Sequence, residues 1–397
     1  MHKERRLRLS AESAHLTRSV MRDLLSFAVD PAVISFAGGL PASDVIPLEA
    51  YKECIDAVLD RDGPAALQYS PQYAPLREWI ASWMQTRGVS CQPEQVFITN
   101  GAQQGLAVLS RLLLDPGEPA VVEAITFTGI QQVTKGRGAE VRAVPTDPTD
   151  GVDIDLLEAA MKQAPQPRMA ILIPAFHNPL SATLEPDQRR RIAALAAETG
   201  VPVIEDDPYS ALQFDGEMYP PIKAFDEAGF VFYVGSFSKI LAPGVRLGWI
   251  VAPLDLMPKI TTMRESLDLE TSTLTQRAVA LFLERCELEP HLGTLRRIHR
   301  QRRDALLAAL EKHLAWEAEW TEPDGGLFVW LTLDEGIDTW KLFERSVARQ
   351  VAYIPGAAFA VEGGANNTIR LSFSNVTPAK IETGVARLAQ VIREAGR

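Results

Sequence analysis

In the stretch GSFSKILAPGVRLGW, residues 235–249, two hydroxyls, an amine and a guanidinium crowd into one loop: Ser236, Ser238, Lys239 and Arg246. This set suits a phosphate-bearing aldehyde, because hydroxyls and a guanidinium bind phosphate while a lysine amine condenses with the aldehyde. SxSK alone fits an ordinary surface lysine equally well. A second cluster, VIEDDPYSAL (203–212), runs an apolar stretch straight into Glu205, Asp206 and Asp207, with Tyr209 two positions later. A carboxylate held against a pyridine nitrogen keeps that nitrogen protonated and turns the ring into an electron sink. The alternative is a set of turn-forming acids beside a core tyrosine. In FITNGAQQGLAVLSRLLL (97–114) a glycine turn, Gly101, precedes Ala102 and Gln103 at a helix start. Free N–H groups there form an anion site. Phe127 is placed to stack on a ring, and Asn178 offers an amide, although each also reads as plain core or turn.

These residues need a scaffold that brings strand ends together. VFIT (96–99), AVVEA (120–124), MAILIP (169–174), VPVIED (201–206), VFYVGS (231–236) and LGWIVA (247–252) read as buried strands. Helical periods at Gln103–Leu114, Asp153–Gln163 and Asp187–Thr199 lie between them. Such alternation predicts an α/β fold with a doubly wound, mostly parallel sheet, whose ligands sit beyond the carboxyl ends of the strands. After about residue 253 the rhythm changes. A long helical stretch over 274–314, strand-like GLFVWLTL, VAYI and TIRLSF, and a closing helix near 378–395 predict a smaller α+β unit.

In this order, GGLP (38–41), QYSP (68–71), NGAQQGL (100–106), NP (178–179), DDPY (206–209), SFSK (236–239), PGVRLGW (243–249), DGGLFVW (324–330) and NTIRLSF (367–373) resemble the class I/II aminotransferases of fold type I. The resemblance runs from about residue 18 to the end and is nearest to the 2-aminoadipate and kynurenine/aminoadipate branch. It implies a pyridoxal 5'-phosphate enzyme with a large domain built on a mostly parallel seven-stranded sheet (46–285). A small α+β domain (286–397) and an N-terminal arm (1–45) that joins the substrate site complete it. Lys239 is then the Schiff-base lysine and proton shuttle, and Asp206 the partner of the pyridine nitrogen. Tyr209 and Asn178 contact the ring oxygen, and Phe127 stacks. Gly101, Ala102, Gln103, Ser236, Ser238 and Arg246 form the phosphate cup. Tyr69 reaches the phosphate of the neighbouring subunit, which implies a homodimer with shared sites. Arg370 clamps the substrate α-carboxylate bidentately, Asn178 and Gly39 also face the substrate, and Arg22 meets a distal carboxylate.

The expected reaction is ping-pong transfer of an amino group from an L-amino acid to a 2-oxo acid such as 2-oxoglutarate. The donor classes open are 2-aminoadipate, glutamate, branched-chain and aromatic amino acids. The chain departs from the family pattern at Phe127, more often tyrosine there, at PLSATL after Asn178, where PTG is usual, and at Ile125, commonly proline. YSPQYAPL is two residues short of the usual segment and lacks its glycine. A fold-type-I lyase or specialised biosynthetic enzyme would share every cofactor residue. The sensory domain of a transcription regulator uses the same fold, but that role calls for an added N-terminal segment and a basic surface.

Composition narrows the field. The 397 residues call for about two domains. The net charge of −11, from 40 basic and 51 acidic residues, argues against nucleic-acid binding. Three scattered cysteines, Cys54, Cys91 and Cys286, offer no metal site and no disulfide framework. No apolar run approaches the roughly 18 residues of a membrane span, and no signal peptide follows the basic start, so a cytoplasmic protein is expected.

Overall fold

The computed structural model describes residues 10, 12–16, 30 and 32–395. The helical stretch expected around 18–28, with Arg22, lies outside the described residues.

Seven strands form the main sheet: β1 (Val96–Thr99), β2 (Pro119–Glu123), β3 (Glu140–Val144), β4 (Met169–Leu172), β5 (Val203–Asp206), β6 (Val231–Ser236) and β7 (Gly248–Val251). Their order is β1-β7-β6-β5-β4-β2-β3, and only β7 runs antiparallel to its neighbours. Both faces are covered, as the unbroken apolar runs require. Alternate residues go to opposite sides. Val122, Ile171, Ile204, Phe232 and Val234 pack with α3 (Ala102–Leu113), while Val121, Ala170, Leu172, Val203 and Val231 pack with the helices that follow β3 and β4. Before α3 come α1 (Leu48–Asp62) and α2 (Ala74–Thr86). After it come α4 (Thr128–Thr134), α5 (Ile154–Lys162) and α6 (Pro186–Thr199). Asp153 caps α5 through the Leu156 N–H, and a capping box between Glu185 and Gln188 opens α6, which closes on Gly200 in the left-handed region.

Two further helices, α7 (Met257–Asp268) and α8 (Thr273–Arg285), lead into α9 (Leu288–Leu314). The single helix expected over 274–314 is thus two helices, parted at Cys286 and Glu287. Pro290 explains the break, since a proline without an N–H belongs in the first turn of a helix and not in its middle. A second, antiparallel sheet follows, ordered β8 (Ala318–Trp320), β9 (Phe328–Leu333), β11 (Thr368–Ser372), β10 (Ile354–Pro355). With α9, α10 (Thr339–Ala348) and α11 (Pro378–Ala395) it encloses its own core, including Val329, Leu331, Ile369, Leu306, Val385 and Leu388. Strand β3 carries no clear pattern because it is the sheet's edge, mostly half-exposed. Ile34–Ser35 pairs in parallel with Val351–Ala352, just ahead of the smaller sheet's β10. No helix among the described residues is long and apolar enough to cross a membrane.

Candidate active site

Five parallel strands point their carboxyl ends at one region, and the residues just past those ends meet there. Thr99 of β1 leads to Gly101, Glu123 of β2 to Phe127, Leu172 of β4 to Asn178, and Ser236 of β6 to Lys239, while β5 itself ends on Asp206. A cavity of about 270 Å³ is lined by Ala102, Gln103, Phe127, Asn178, Asp206, Tyr209, Ser236, Ser238, Lys239, Arg246, Gly39 and Arg370, that is, by twelve of the predicted residues. Gly101 lies beneath it, and a Cβ there would come within 2.7 Å of Arg246 Nη2.

Lys239 Nζ donates a hydrogen bond to the Gly39 carbonyl at 2.7 Å. Burial pulls its pKa down to about 8, helped by the positive charges of Arg370 and Arg246 and opposed by Asp206. Opposite it, Asp206 is pushed up to about 7 by burial first, then by the negative charges of Asp207 and Glu123, with Lys239 opposing. Asp206 Oδ1 is buried without a hydrogen-bond partner among the described residues. A buried acceptor left open is costly, and a protonated ring nitrogen would satisfy it.

Tyr209 is buried, and its hydroxyl accepts a bond from Asn178 Nδ2 at 3.2 Å. Asn178 Oδ1 in turn accepts from Arg370 Nη1 at 2.8 Å, and Arg370 Nη2 donates to the Ala37 carbonyl at 2.6 Å. The guanidinium is sandwiched 4.2 Å from the Phe328 ring centre and 4.9 Å from that of Phe359. Stacking and hydrogen bonds hold its plane fixed. Burial lowers its pKa to about 10, so it stays charged near neutrality.

At the other end, Ala102 and Gln103 open α3 with N–H groups that no helical carbonyl can reach. Gln103 Nε2 donates to the Gly129 carbonyl at 3.0 Å, tying α3 to α4. Ser236 is buried, and its Oγ accepts from the Ser238 N–H at 3.1 Å. Arg246 is held with φ +51°, uncommon for a residue with a side chain, while its guanidinium donates to the carbonyls of Asn100 at 3.0 Å and Pro243 at 3.2 Å. Free N–H groups, two hydroxyls and a guanidinium around one end of a cavity suit a phosphate. A lysine and an open carboxylate at the other suit an aldehyde-bearing pyridine, so the donor set fits pyridoxal phosphate.

Two predicted residues stand apart. Tyr69 is 75% exposed and belongs to a separate depression with Gln72, Arg77 and Glu270; a single chain does not bring it to the cavity. Arg22 lies outside the described residues. Conversely, Leu40, Leu106, Ile173, Pro208 and Phe328 line the cavity without having been singled out. Phe328 was within reach of the sequence: it follows the Gly-Gly of DGGLFVW, a strand start where backbone can approach closely.

Known proteins resemble this chain in sequence and fold. A sequence model of the aminotransferase class I and II family matches residues 35–388. The chain is 38% identical to aromatic-amino-acid aminotransferase 1 of Thermococcus litoralis, over 97% of this chain and 94% of that protein. It is 36% identical to the 2-aminoadipate transaminase of Thermus thermophilus, over 96% and 95%. It also superposes on the crystal structure of LysN, an alpha-aminoadipate aminotransferase from Thermus thermophilus complexed with N-(5'-phosphopyridoxyl)-L-leucine, with a TM-score of 0.90, 35% identity and coverage of 98% and 97%. With a strand-end cavity that fits pyridoxal phosphate and a family match over nearly its whole length, the chain belongs to the class I and II aminotransferases, pyridoxal-phosphate enzymes of fold type I.

Proposed function

We propose that this aminotransferase acts in the cytoplasm by a ping-pong cycle. It takes the amino group of an L-amino acid of the 2-aminoadipate, glutamate, branched-chain or aromatic classes and passes it to a 2-oxo acid such as 2-oxoglutarate. The observation that carries this reading is Lys239, a lysine with its pKa lowered to about 8, facing the open carboxylate of Asp206 across one cavity. The aromatic and aminoadipate activities named for its relatives support the donor classes.

When bound, pyridoxal phosphate supplies an aldehyde for amines and a protonated ring that draws electrons from the substrate's Cα–H bond. Lys239 would hold the aldehyde, and its free amine would move the proton between the substrate's Cα and the cofactor's C4′ carbon. With a pKa near 8, a useful share of that amine is unprotonated at neutral pH, as a general base requires. Asp206 stays ionised against the ring nitrogen, whose positive charge offsets the burial that otherwise disfavours the carboxylate. Tyr209 and Asn178 bond the ring oxygen, and Phe127 covers one ring face. The N–H groups of Ala102 and Gln103, with Gly101 beneath them, and the side chains of Ser236, Ser238 and Arg246 hold the phosphate. Arg370, its plane fixed by Phe328 and Phe359, receives the α-carboxylate beside Asn178 and Gly39. Arg22 receives a distal carboxylate. The enzyme is proposed to be a homodimer in which Tyr69 enters the partner's site. Residues 46–285 are proposed as the large domain, 286–397 as the small one and 1–45 as the arm.

Lys239→Ala tests the assignment. The variant should still take up pyridoxal phosphate but turn over about 10²–10⁴-fold more slowly, the scale of losing a positioned acid–base group. Turnover close to that of the unaltered enzyme would refute the role of Lys239.

A further inference from the structure

Behind the cavity lies a charged cluster that the reading above leaves without a task. Asp207 follows Asp206, and the alternation at the end of β5 sends its side chain to the other face. There its carboxylate is fully buried against Arg87, which stands just past α2. Arg87 Nη2 donates to Asp207 Oδ2 at 2.8 Å and Nη1 donates to the Tyr233 hydroxyl at 2.6 Å. Tyr233 donates in turn to Asp207 Oδ2 at 3.1 Å. The guanidinium sits 5.5 Å from the ring centres of both Trp83 and Tyr233. From the far side, the Ser210 N–H donates to Asp207 Oδ1 at 3.0 Å and the Ser210 hydroxyl to Oδ2 at 2.8 Å.

A buried ion pair is a poor source of net stability, because taking two charges out of water costs about as much as their attraction returns. Its value here is geometric. The Asp207 N–H donates to the Val234 carbonyl at 2.9 Å, anchoring the turn to β6 at one end, while the carboxylate grips Ser210 at the other. Between these anchors sits Tyr209, whose hydroxyl must stay near Asn178, and one residue before them sits Asp206. Burial opposes the Asp207 charge, but Arg87 and the Ser210 hydroxyl outweigh it and hold the carboxyl below its usual range. The pair therefore stays ionised.

We infer that Arg87 and Asp207 are positioning residues of this aminotransferase: their ion pair clamps the 206–210 turn so that Asp206 and Tyr209 keep their places on the cofactor. The inference rests on the cofactor roles proposed above for Asp206 and Tyr209.

The test is a pH titration of the visible absorbance of the holoenzyme, with Tyr209→Phe as reference. A hydrogen bond from Tyr209 to the ring oxygen stabilises that oxygen's anionic form and weakens its hold on the neighbouring imine proton. Tyr209→Phe should accordingly raise the titration midpoint by about 1 pH unit. Asp207→Asn should raise it in the same direction by at least about half as much, and adding Asp207→Asn to Tyr209→Phe should move it no further. Ser210→Ala, a milder loosening of the clamp, should give a smaller shift of the same sign and decides the matter if Asp207→Asn does not fold. A shifted Tyr209→Phe beside an unshifted Asp207→Asn, or an unshifted Ser210→Ala where Asp207→Asn is insoluble, overturns the clamp. So does an Asp207→Asn shift that adds in full to that of Tyr209→Phe. An unshifted Tyr209→Phe instead overturns the role given to Tyr209, and the clamp with it.

Discussion

Asp206 sits where an ionised carboxylate is least comfortable, buried, near Asp207 and Glu123, with one oxygen lacking a partner among the described residues. Its pKa, raised to about 7, has a direct consequence for the protein without cofactor. A carboxyl whose folded pKa lies above its unfolded value favours the native state fully below about pH 4 and loses that contribution as the pH rises through 7. In thermal unfolding of the apoprotein, Asp206→Asn should therefore match the wild type near pH 4 and exceed it at pH 8 by about 2 kcal/mol or more. An equal difference at both pH values would contradict the burial argument. Residues of this kind were legible in the sequence because each lies within a few positions of a strand end and inside a contiguous motif. Arg87 was not. Its partner Asp207 is 120 positions away, and nothing in TRGVS at 86–90 marks an arginine that faces inward.

The junction of β1, β7 and β6 with the start of α3 is where the elements leave no slack. A Cβ on Gly248 would stand 2.7 Å from the Gly101 carbonyl carbon and the Gly235 oxygen, and 2.8 Å from the Ala102 nitrogen. All three are backbone atoms that cannot rotate away, and two belong to the proposed phosphate cup. Gly248→Ala should cost about 2–3 kcal/mol of stability and weaken pyridoxal phosphate binding about tenfold or more. Gly244→Ala, with nothing within 4 Å, should leave both unchanged. Calorimetry and cofactor titration of the two variants would decide. The central strands and α3, α5 and α6 could be read from the sequence to within two residues at each end because burial on both sheet faces imposes long apolar runs. The division of 274–314 into α8 and α9 was missed although Pro290 signals it. Strand β3 was missed because an edge strand, half-exposed, has neither a continuous apolar run nor clean alternation.

Across the whole molecule, the cavity lies between the main sheet's strand ends and the smaller sheet, with residues 38–40 as a third wall. That segment is tied to the proposed small domain: the Ser374 hydroxyl donates to the Leu40 carbonyl, and just beyond it Arg302 donates to both carboxylate oxygens of Asp44 while the Ser43 hydroxyl donates to Asn375 Oδ1. Tyr69, which does not line this cavity in its own chain and is largely exposed along with Leu67, would reach the site only if a second chain brings it. This gives a complementation test. Tyr69→Ala should bind cofactor weakly, and Lys239→Ala should be inactive. Refolding the two together should restore activity, because one site in each mixed dimer then combines an intact Lys239 with an intact Tyr69. Activity no higher than the average of the two variants would show that the chains do not share their sites.

The most direct test of the account is the visible absorbance of the purified protein, loaded with pyridoxal phosphate, before and after single L-amino acids are added without an acceptor. A donor amino acid should shift the cofactor band to that of its aminated form, a 2-oxo acid should restore it, and Lys239→Ala should do neither at a comparable rate. A band that no amino acid from the proposed donor classes converts would contradict it.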